Sequence, residues 1–271
     1  MSPYRDGPAS GREAAPPPDV LLCAGLDPSG GAGLIADVRV AGLVGVRPVG
    51  VVTALTIQNT QGVRSAHPLD ADVVGAQIAT LLSDVEVKAV KLGMLGAIDV
   101  AREIADGLHL TAAPVVWDPV AAPSLGDVSF DRDMFGAMLR ELSPHLTLIT
   151  PNTSELAALL GRPIADADDL TAAARHLAVQ LGAAVLAKGG HAGGPESVDV
   201  LVSGDLVERL RSPRVAGGED VHGTGCALST AIASHLALGA SLVEACRAAK
   251  ELVVARIASP VRPGRGAAAI V

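Results

Sequence analysis

Residues 19–57 read DVLLCAGLDPSGGAGLIADVRVAGLVGVRPVGVVTALTI and set the pattern for the whole chain. The run DVLLCAGL is apolar and stops at the turn cluster DPSGGAG, as expected of a short buried strand. Residues 34–45 repeat apolar side chains at helical spacing up to Gly45, and residues 48–57 form a continuous apolar run typical of a strand covered on both faces. The order strand, helix, strand predicts a crossover connection between parallel strands.

The same alternation continues along the chain. Apolar patterns predict further helices at residues 71–85, 99–109, 130–142, 154–161, 168–182, 223–239 and 241–259, and strands at 87–94, 114–120, 146–151 and 183–190. Two more strands, 197–204 and 205–212, form a hairpin around Gly204 and Asp205. This predicts an α/β fold with a central, mostly parallel sheet flanked by helices on both faces. One domain is expected over residues 19–271, after a polar, proline-rich tail at 1–18 that we expect to be disordered.

Composition excludes several classes of protein. The 271 residues carry a net charge of −8 and their basic residues are scattered, which argues against binding of nucleic-acid phosphates. With only one Trp, one Tyr and two Phe, the chain also lacks aromatic surfaces on which single-stranded bases could stack. No run approaches the roughly 18 apolar residues of a membrane span, and the first residues lack a signal-peptide core. Three unevenly spaced cysteines argue against disulfides or a zinc cluster and favour the reducing cytoplasm.

The loops after the predicted strands should meet at one edge of the sheet, where ligands bind in such folds. Residues 220–229, DVHGTGCALS, place Gly223, Thr224, Gly225 and Cys226 directly before a long helix. Converging backbone N–H groups and the helix N-terminus would form an anion hole for a phosphoryl group. The same field would lower the pKa of the Cys226 thiol and let it act as a base. The alternatives are a tight turn with Thr224 as N-cap, and a buried cysteine, which is the interpretation for Cys23 and Cys246.

Three further loops carry candidate phosphate and metal ligands. Lys188 follows a buried strand at the loop edge, where it could meet a phosphate, although a solvated lysine is the alternative. Asn152 and Glu155 begin a helix on one face and could hold a hydrated Mg²⁺, with Asp118 ordering its waters. The same two residues also describe an ordinary capped helix start.

The other end of the expected cleft suggests heterocycle recognition. Gln58, after the second strand, has an amide that could pair with a ring edge bearing an amino group beside a ring nitrogen. The glycine-rich segment 27–33 lacks the lysine and serine of a Walker A loop and the spacing of a dinucleotide fingerprint. Neither a P-loop NTPase nor a nicotinamide enzyme is supported.

Seven segments in register resemble the hydroxymethylpyrimidine kinase/phosphomethylpyrimidine kinase family. The resemblance extends from about residue 21 to about residue 257, nearly the whole predicted domain. The segments are AGLDPSGGAGLIAD (24–37), ALTIQNTQGV (54–63), VKLGMLG (90–96), DPV (118–120), TPNTSELAALLG (150–161), AKGGH (187–191) and HGTGCALS (222–229). The resemblance implies a ribokinase-like fold with a small β extension near the substrate. It also implies two successive phosphorylations by ATP and Mg²⁺, which convert 4-amino-5-hydroxymethyl-2-methylpyrimidine to its monophosphate and then to its diphosphate in thiamine biosynthesis.

The resemblance also assigns roles to matching positions. The pyrimidine-binding residues would be Gln58, Gly25, Ala32, Asp37, Met94 and Val120. The anion hole would be formed by Gly223 and Gly225 beside the catalytic Cys226, with Lys188, Asn152 and Thr224 on the nucleotide and Glu155, Asn152 and Asp118 on magnesium. Relatives in this family are often homodimers.

The chain departs from the family pattern at three places. Residues 121–126, AAPSLG, lack a lysine that is usual after DPV in the family. Ile35 and Arg39 stand where the family usually has Gln and Lys. The C-terminal sequence RPGRGAAAIV also differs from the family's usual ending. A pyridoxal-type kinase is the first alternative, although such kinases usually carry Asp after GTG. A thiazole kinase shares the cysteine but not the QNT and KLGM segments, and a catalytically silent pyrimidine-binding protein is the third alternative.

Overall fold

The computed structural model describes residues 15–120, 132–190 and 194–271. The strands in these ranges are β1 (Asp19–Leu26), β2 (Arg47–Asn59), β3 (Gly62–Pro68), β4 (Val87–Leu92), β5 (Val115–Trp117), β6 (Leu148–Ile149), β7 (Ala184–Ala187), β8 (Glu196–Ser203), β9 (Leu206–Pro213), β10 (Val221–His222) and β11 (Ala268–Ala269). The helices are α1 (Gly33–Val44), α2 (Ala71–Leu82), α3 (Ile98–Leu108), α4 (Arg132–Leu142), α5 (Thr153–Leu160), α6 (Ala167–Leu181), α7 (Thr224–Ala237) and α8 (Leu242–Ile257).

The main sheet of the described residues has nine strands in the order β3-β2-β1-β4-β5-β6-β7-β8-β9. Six strands run parallel, namely β1, β2, β4, β5, β6 and β7, whereas β3, β8 and β9 pair antiparallel at the two edges. The predicted hairpin of residues 197–212 is β8 and β9. The prediction of a mostly parallel α/β sheet is confirmed, and the carboxyl ends of six parallel strands therefore meet at one edge.

Each face of the sheet is covered by its own apolar core. Along β1, Leu21 and Cys23 pack into the core beneath α2, α3 and α6, whereas Val20 and Leu22 pack into the core beneath α1, α7 and α8. Alternate side chains of a strand point to opposite faces, so the continuous apolar run of β1 fits a strand covered on both sides. Cys23 and Cys246 are both fully buried in these cores, as predicted.

The edge beside β2 differs from the sequence prediction. Strand β2 continues to Asn59 and turns into β3, so Gln58 lies within a strand rather than after one. Near this end the burial of β2 alternates, and Leu55 and Ile57 are 44% and 55% exposed. The expectation that residues 48–57 are covered on both faces is therefore wrong, because the face that carries Leu55 and Ile57 is left partly open. Strand β3 escaped prediction because GVRSAHP has no apolar alternation.

Helix ends follow the glycines and polar caps of the sequence. Helix α1 ends at Gly45, whose φ of 94° lies in the left-handed region that favours glycine. Serine 241 and Glu244 form a reciprocal capping box at the start of α8. None of the helices in the described residues is both long and apolar enough to cross a membrane.

Two earlier expectations fall largely outside the described ranges. The tail expected at residues 1–18 includes residues 1–14, which are not described, and residues 15–18 precede β1 without regular structure. The departure at residues 121–126 is also outside the described part.

Candidate active site

One cavity of about 500 Å³ opens at the carboxyl ends of the parallel strands. It extends from the β2–β3 hairpin to the N-terminus of α7 and the side of α8. It brings together the sequence-predicted residues Gly25, Ala32, Gln58, Met94, Asp118, Val120, Asn152, Glu155, Lys188, Gly223, Thr224, Gly225 and Cys226. Residues more than a hundred positions apart therefore share one site.

The glycine motif forms the N-terminus of α7 at the cavity wall. Gly223 is the residue before the helix, with a φ of 85°, and a Cβ added there would lie 2.1 Å from the carbonyl oxygen of Gly31. A Cβ added to Gly225 would lie 3.2 Å from Lys188 Nζ. The two glycines thus let this turn approach the first loop on one side and the lysine on the other. Backbone N–H groups at such a helix start attract an anion.

Lys188 joins two acidic side chains beside this turn. Its Nζ lies 2.7 Å from Asp118 Oδ1 and 4.0 Å from Glu155 Oε2. Burial alone would lower the pKa of Lys188, but the charges of Asp118 and Glu155 outweigh burial and raise it above the usual value. The lysine therefore stays charged near neutral pH and is not the solvated surface residue of the alternative interpretation.

Asn152 and Glu155 form the capping box of α5. Asn152 Oδ1 accepts from the Glu155 backbone N–H at 2.8 Å, and Glu155 Oε2 accepts from the Asn152 backbone N–H at 2.7 Å. Within the described ranges no group of three His, Cys, Asp or Glu side chains could hold a metal ion. The carboxylates of Asp118 and Glu155 fit an ion held mainly by water and by phosphate oxygens, which is how Mg²⁺ usually binds.

Cys226 lies in the first turn of α7, but its acidity is opposite to the sequence prediction. Burial raises the pKa of its thiol to about 11, and the nearby Lys91 lowers it only in part. The charges of Asp37 and Asp118 raise it further. The prediction of a lowered thiol pKa is therefore wrong, because loss of water around the sulfur outweighs the lowering by Lys91 and by the Gly33 backbone.

A buried ion pair joins Asp37 to Lys91, a residue that was not assigned a role from sequence. Lys91 Nζ lies 2.6 Å from Asp37 Oδ2, and Thr230 donates to Asp37 Oδ1 at 2.7 Å. Both charged side chains are fully buried, and Lys91 reaches the cavity whereas Asp37 does not. The expectation that Asp37 lines the pyrimidine pocket is thus corrected: its oxygens are taken by Lys91 and Thr230 below the floor. A lysine inside the buried strand VKAVKL was the available signal.

At the opposite end of the cavity Gln58 contacts a second residue that sequence reasoning missed. The amide nitrogen of Gln58 lies 3.3 Å from His222 Nε2, which is 3.4 Å from Asp27 Oδ2. Burial would raise the pKa of Asp27, but hydrogen bonds from His222 and Ser29 hold it below the usual value. His222 directly precedes Gly223, so this group connects the Gln58 end of the cavity to the glycine turn.

Gly25 and Met94 form an apolar part of the cavity wall. A Cβ added to Gly25 would lie 2.5 Å from Met94 Cε, so a larger residue there would have to displace the end of the methionine side chain. Thr53 holds this part of the chain by donating to the carbonyl oxygen of Met94 at 2.5 Å. With Ala32 and Val120 also on the wall, the space suits a planar ring whose polar edge meets the Gln58 amide.

Arg39, one of the departures from the family pattern, contacts the C-terminal segment, which is another. Arg39 donates to the carbonyl oxygen of Gly30 at 2.8 Å and to that of Val271 at 3.4 Å. Farther back, the backbone N–H of Ala267 donates to Thr60 in the β2–β3 turn at 2.8 Å. The unusual C-terminal residues thus tie the first loop to the hairpin that carries Gln58.

Comparisons with known proteins agree with this geometry. The family model described as phosphomethylpyrimidine kinase matches residues 27–270. The hydroxymethylpyrimidine/phosphomethylpyrimidine kinase of Rhizobium meliloti is 41% identical over 251 residues, covering 91% of this chain and 94% of that protein. A thiamine biosynthesis bifunctional protein of Geobacter sulfurreducens is 39% identical over 94% of this chain and 52% of its own length. The pyridoxal kinase of Bacillus subtilis, solved as an ADP complex, superposes with a TM-score of 0.82 at 32% identity, covering 90% of this chain and 93% of that chain.

The sheet, the glycine turn and the cavity that they line define a ribokinase-like kinase of small molecules. Within that class, the chain belongs to the phosphomethylpyrimidine kinase family.

Proposed function

We propose that the protein transfers the γ-phosphoryl group of ATP to the hydroxymethyl group of 4-amino-5-hydroxymethyl-2-methylpyrimidine, and then phosphorylates the resulting monophosphate to the diphosphate. Both steps belong to thiamine biosynthesis. The observation that carries this proposal is the single cavity that joins Gln58 to the glycine turn at α7. The similarity to hydroxymethylpyrimidine/phosphomethylpyrimidine kinases supports the choice of acceptor.

Gln58 would read the pyrimidine edge. Its amide oxygen accepts from the 4-amino group while its nitrogen donates to the adjacent ring nitrogen, which satisfies both polar atoms of the side chain. Gly25 and Met94, which line the cavity, would contact the face of the ring. This leaves the 5-hydroxymethyl group directed along the cavity toward α7.

The glycine turn and Lys188 would hold the transferring phosphoryl group. The backbone N–H groups of residues 223–226 and the Lys188 ammonium offer hydrogen bonds to phosphate oxygens, and Thr224 would add its hydroxyl. Phosphate would then compete with Asp118 for Lys188. In this structure Asp118 Oδ1 lies 2.7 Å from Lys188 Nζ. Val254 and Ile257 of α8 form an apolar wall farther along, suited to the adenine ring.

Magnesium would neutralise phosphate charge during transfer. Asp118 and Glu155 would hold its waters, with Asn152 beside them. The two carboxylates flank Lys188, so the ion and the lysine would share the same phosphate oxygens.

Cys226 would take the proton of the acceptor hydroxyl. Because its pKa is raised to about 11, the thiol is protonated near neutral pH in this structure, and only a small fraction is ready as a base. A loose phosphoryl-transfer transition state needs little proton removal before the P–O bond breaks, so such a weakly populated base is sufficient.

A pyridoxal-type kinase is the second candidate, because the fold superposes closely on a pyridoxal kinase. The sequence argument against it is the cysteine in place of aspartate after GTG. A pyridine lacks the amino group beside a ring nitrogen that Gln58 would pair with. The two acceptors therefore make different demands on the same side chain.

A homodimer is the proposed assembly, formed through the β2–β3 hairpin. This hairpin is the edge of the sheet, and Leu55 and Ile57 project from one side of it with about half of their surface exposed. Exposed apolar side chains on one face of the hairpin favour contact with a second copy. Sedimentation should show a dimer for the wild type and a monomer for Ile57→Asp.

The proposed location is the cytoplasm, which supplies ATP and keeps the three free cysteines reduced.

Product analysis tests the main proposal. The protein is incubated with ATP, Mg²⁺ and the hydroxymethylpyrimidine, and the products are identified by ³¹P NMR and mass spectrometry. The expected result is ADP with the pyrimidine monophosphate followed by its diphosphate, at a kcat/KM well above that for pyridoxal. Preferred turnover of pyridoxal would replace the proposal by the second candidate, and binding without ADP formation would identify a silent protein.

A further inference from the structure

A second buried ion pair lies behind the loop that carries Lys188. Lys250 Nζ on α8 is 2.8 Å from Asp199 Oδ2 on β8, and the two side chains are only 8% and 7% exposed. Ser197 Oγ lies 3.4 Å from the same ammonium. Both residues line the cavity described above, and none of the roles above uses them.

The other oxygen of Asp199 holds the backbone next to Lys188. Asp199 Oδ1 accepts from the Gly189 N–H at 3.0 Å. A Cβ at Gly189 would lie 2.1 Å from the carbonyl oxygen of Val198, so the loop approaches β8 as closely as glycine permits. On its other side the Lys188 N–H donates to the carbonyl oxygen of Pro151 at 2.8 Å. The peptide of Lys188 is therefore clamped between β8 and the start of α5.

Burial of an ion pair is a poor way to gain stability. Removing two charges from water costs several kcal/mol, and apolar residues of the same size are often as stable or more so. The carboxylate does serve as a charged hydrogen-bond acceptor for Gly189, and such bonds are stronger than neutral ones. Lys250 lies 2.8 Å from the other oxygen of this carboxylate and supplies its counter-charge. The pair thus has a positional effect that an apolar pair would lack.

We propose that Asp199 and Lys250 are positioning residues that aim Lys188 at the transferring phosphate. The connection runs from α8 through the ion pair to Gly189 and then to Lys188. Helix α8 also lines the cavity with Val254 and Ile257, so the same helix would contact the nucleotide and orient the lysine that binds its phosphates. This inference rests on the proposed kinase function.

Two double variants separate the acceptor from the charge pair. Asp199→Leu with Lys250→Met removes the charges and the acceptor for Gly189, whereas Asp199→Asn with Lys250→Met removes the same charges but keeps an acceptor oxygen. Both replace a buried ion pair by neutral side chains of similar size, so both should fold, which thermal unfolding checks. We expect the Leu variant to lose about tenfold or more in kcat/KM for ATP, because small misplacements of a positioning group are costly. The Asn variant should lose far less, and the Kd of the pyrimidine should be unchanged in both.

A third measurement shows whether the effect passes through Lys188. In a Lys188→Met background, the Leu and Asn double variants should have the same kcat/KM for ATP, because there is no lysine left to aim. Equal kcat/KM of the two double variants in the wild-type background would overturn the inference, and so would a difference that persists without Lys188. Failure of the wild-type protein to phosphorylate any pyrimidine would instead overturn the proposed function, which makes the two failures distinguishable.

Discussion

At the scale of single residues, Gln58 is the side chain on which acceptor recognition depends. It lies at the end of β2 with its amide beside His222, and the wall next to it is apolar. A buried polar ring edge left without a partner costs about 1–3 kcal/mol. The identity of one side chain therefore decides whether an aminopyrimidine or another ring is accepted.

Gln58→Leu should raise the KM of the hydroxymethylpyrimidine by about tenfold or more, with a smaller change in kcat, because the 4-amino edge loses its partner. Steady-state kinetics with varied pyrimidine measures this. The matched control is Gln61→Leu, an exposed position in the neighbouring turn, which should leave KM unchanged. An unaltered KM in Gln58→Leu would remove Gln58 from the pyrimidine site.

The pH dependence of turnover tests Cys226. Because the pKa of its thiol is raised to about 11, the thiolate fraction increases about tenfold per pH unit through the neutral and mildly alkaline range. The wild-type kcat should therefore rise with pH between about 7 and 9, and Cys226→Ser should lower kcat by about 10²-fold and flatten that rise. If Cys226→Ser keeps both the rate and the slope, the cysteine only packs against its neighbours.

The sequence predicted which residues share the cavity but not their electrostatics. Gln58, Lys188 and Cys226 were identified because each lies in a short motif beside a strand or helix end. The thiol pKa was mispredicted since it depends on burial, which only the packed fold reveals. Lys91 and His222 were missed because their partners, Asp37 and Asp27, come from distant parts of the chain.

At the scale of elements, the start of α7 combines a helix N-terminus with two glycines. The hypothetical Cβ of Gly225 would lie 3.2 Å from Lys188 Nζ and 3.3 Å from Asp118 Oδ2, inside the space proposed for the phosphate. Gly225→Ala should therefore keep the fold and lower kcat by about 10²-fold. Activity assays and thermal unfolding together measure these two effects.

Gly42→Ala is the control for Gly225→Ala. Gly42 lies within α1, and a Cβ there would meet no atom within 4 Å. This variant should stabilise the protein by about 1 kcal/mol through helix propensity and leave turnover unchanged. Full activity of Gly225→Ala would contradict the anion-hole assignment.

Variants of Asn152 at the start of α5 can distinguish a role in capping the helix from a role in binding magnesium. Asn152→Ala removes the cap and should cost about 1 kcal/mol, whereas Asn152→Ser retains a capping oxygen and should cost only a few tenths. If Asn152 also stands beside the magnesium waters, both variants should need more Mg²⁺ for half-maximal activity. Urea unfolding and magnesium titrations measure the two effects, and an unchanged magnesium requirement would leave Asn152 as a cap only.

Elements with strong periodicity were predictable and the exposed hairpin was not. The unit β1-α1-β2 could be predicted because glycine-containing turns separate its two apolar runs from the helical pattern between them. Strand β3 and the short pair β10–β11 carry no apolar pattern, since their stability comes from hydrogen bonds to neighbouring strands. Their absence from the prediction moved Gln58 from the end of a strand to a loop.

At the scale of the whole molecule, each core contains a buried thiol that makes the folded protein less stable at alkaline pH. Burial raises the pKa of Cys23 and of Cys246 to about 12. A group whose pKa is raised by folding contributes stability that is complete below its unfolded value of about 8.5 and is lost as pH rises toward the folded value. The free energy of unfolding should therefore fall above about pH 9, by about 1 kcal/mol per pH unit for each thiol.

Urea unfolding between pH 7 and 11 measures this loss. Cys246→Ala should flatten the alkaline slope by the share of one thiol, at the cost of a small cavity at neutral pH. The Lys91–Asp37 pair acts in the same direction, because the pKa of Lys91 is raised to about 12. A slope identical to that of the wild type in Cys246→Ala would contradict this interpretation of the buried cysteine.

A structure of the ternary complex with hydroxymethylpyrimidine and a non-hydrolysable ATP analogue tests the shared cavity most directly. The Gln58 amide should pair with the amino-bearing ring edge, and the γ-phosphate should lie on the N–H groups of residues 223–226 beside Lys188. The acceptor oxygen should then lie within about 3.5 Å of the γ-phosphorus, in line for transfer. A pyrimidine bound away from Gln58, or a γ-phosphate bound away from the glycine turn, would contradict the account.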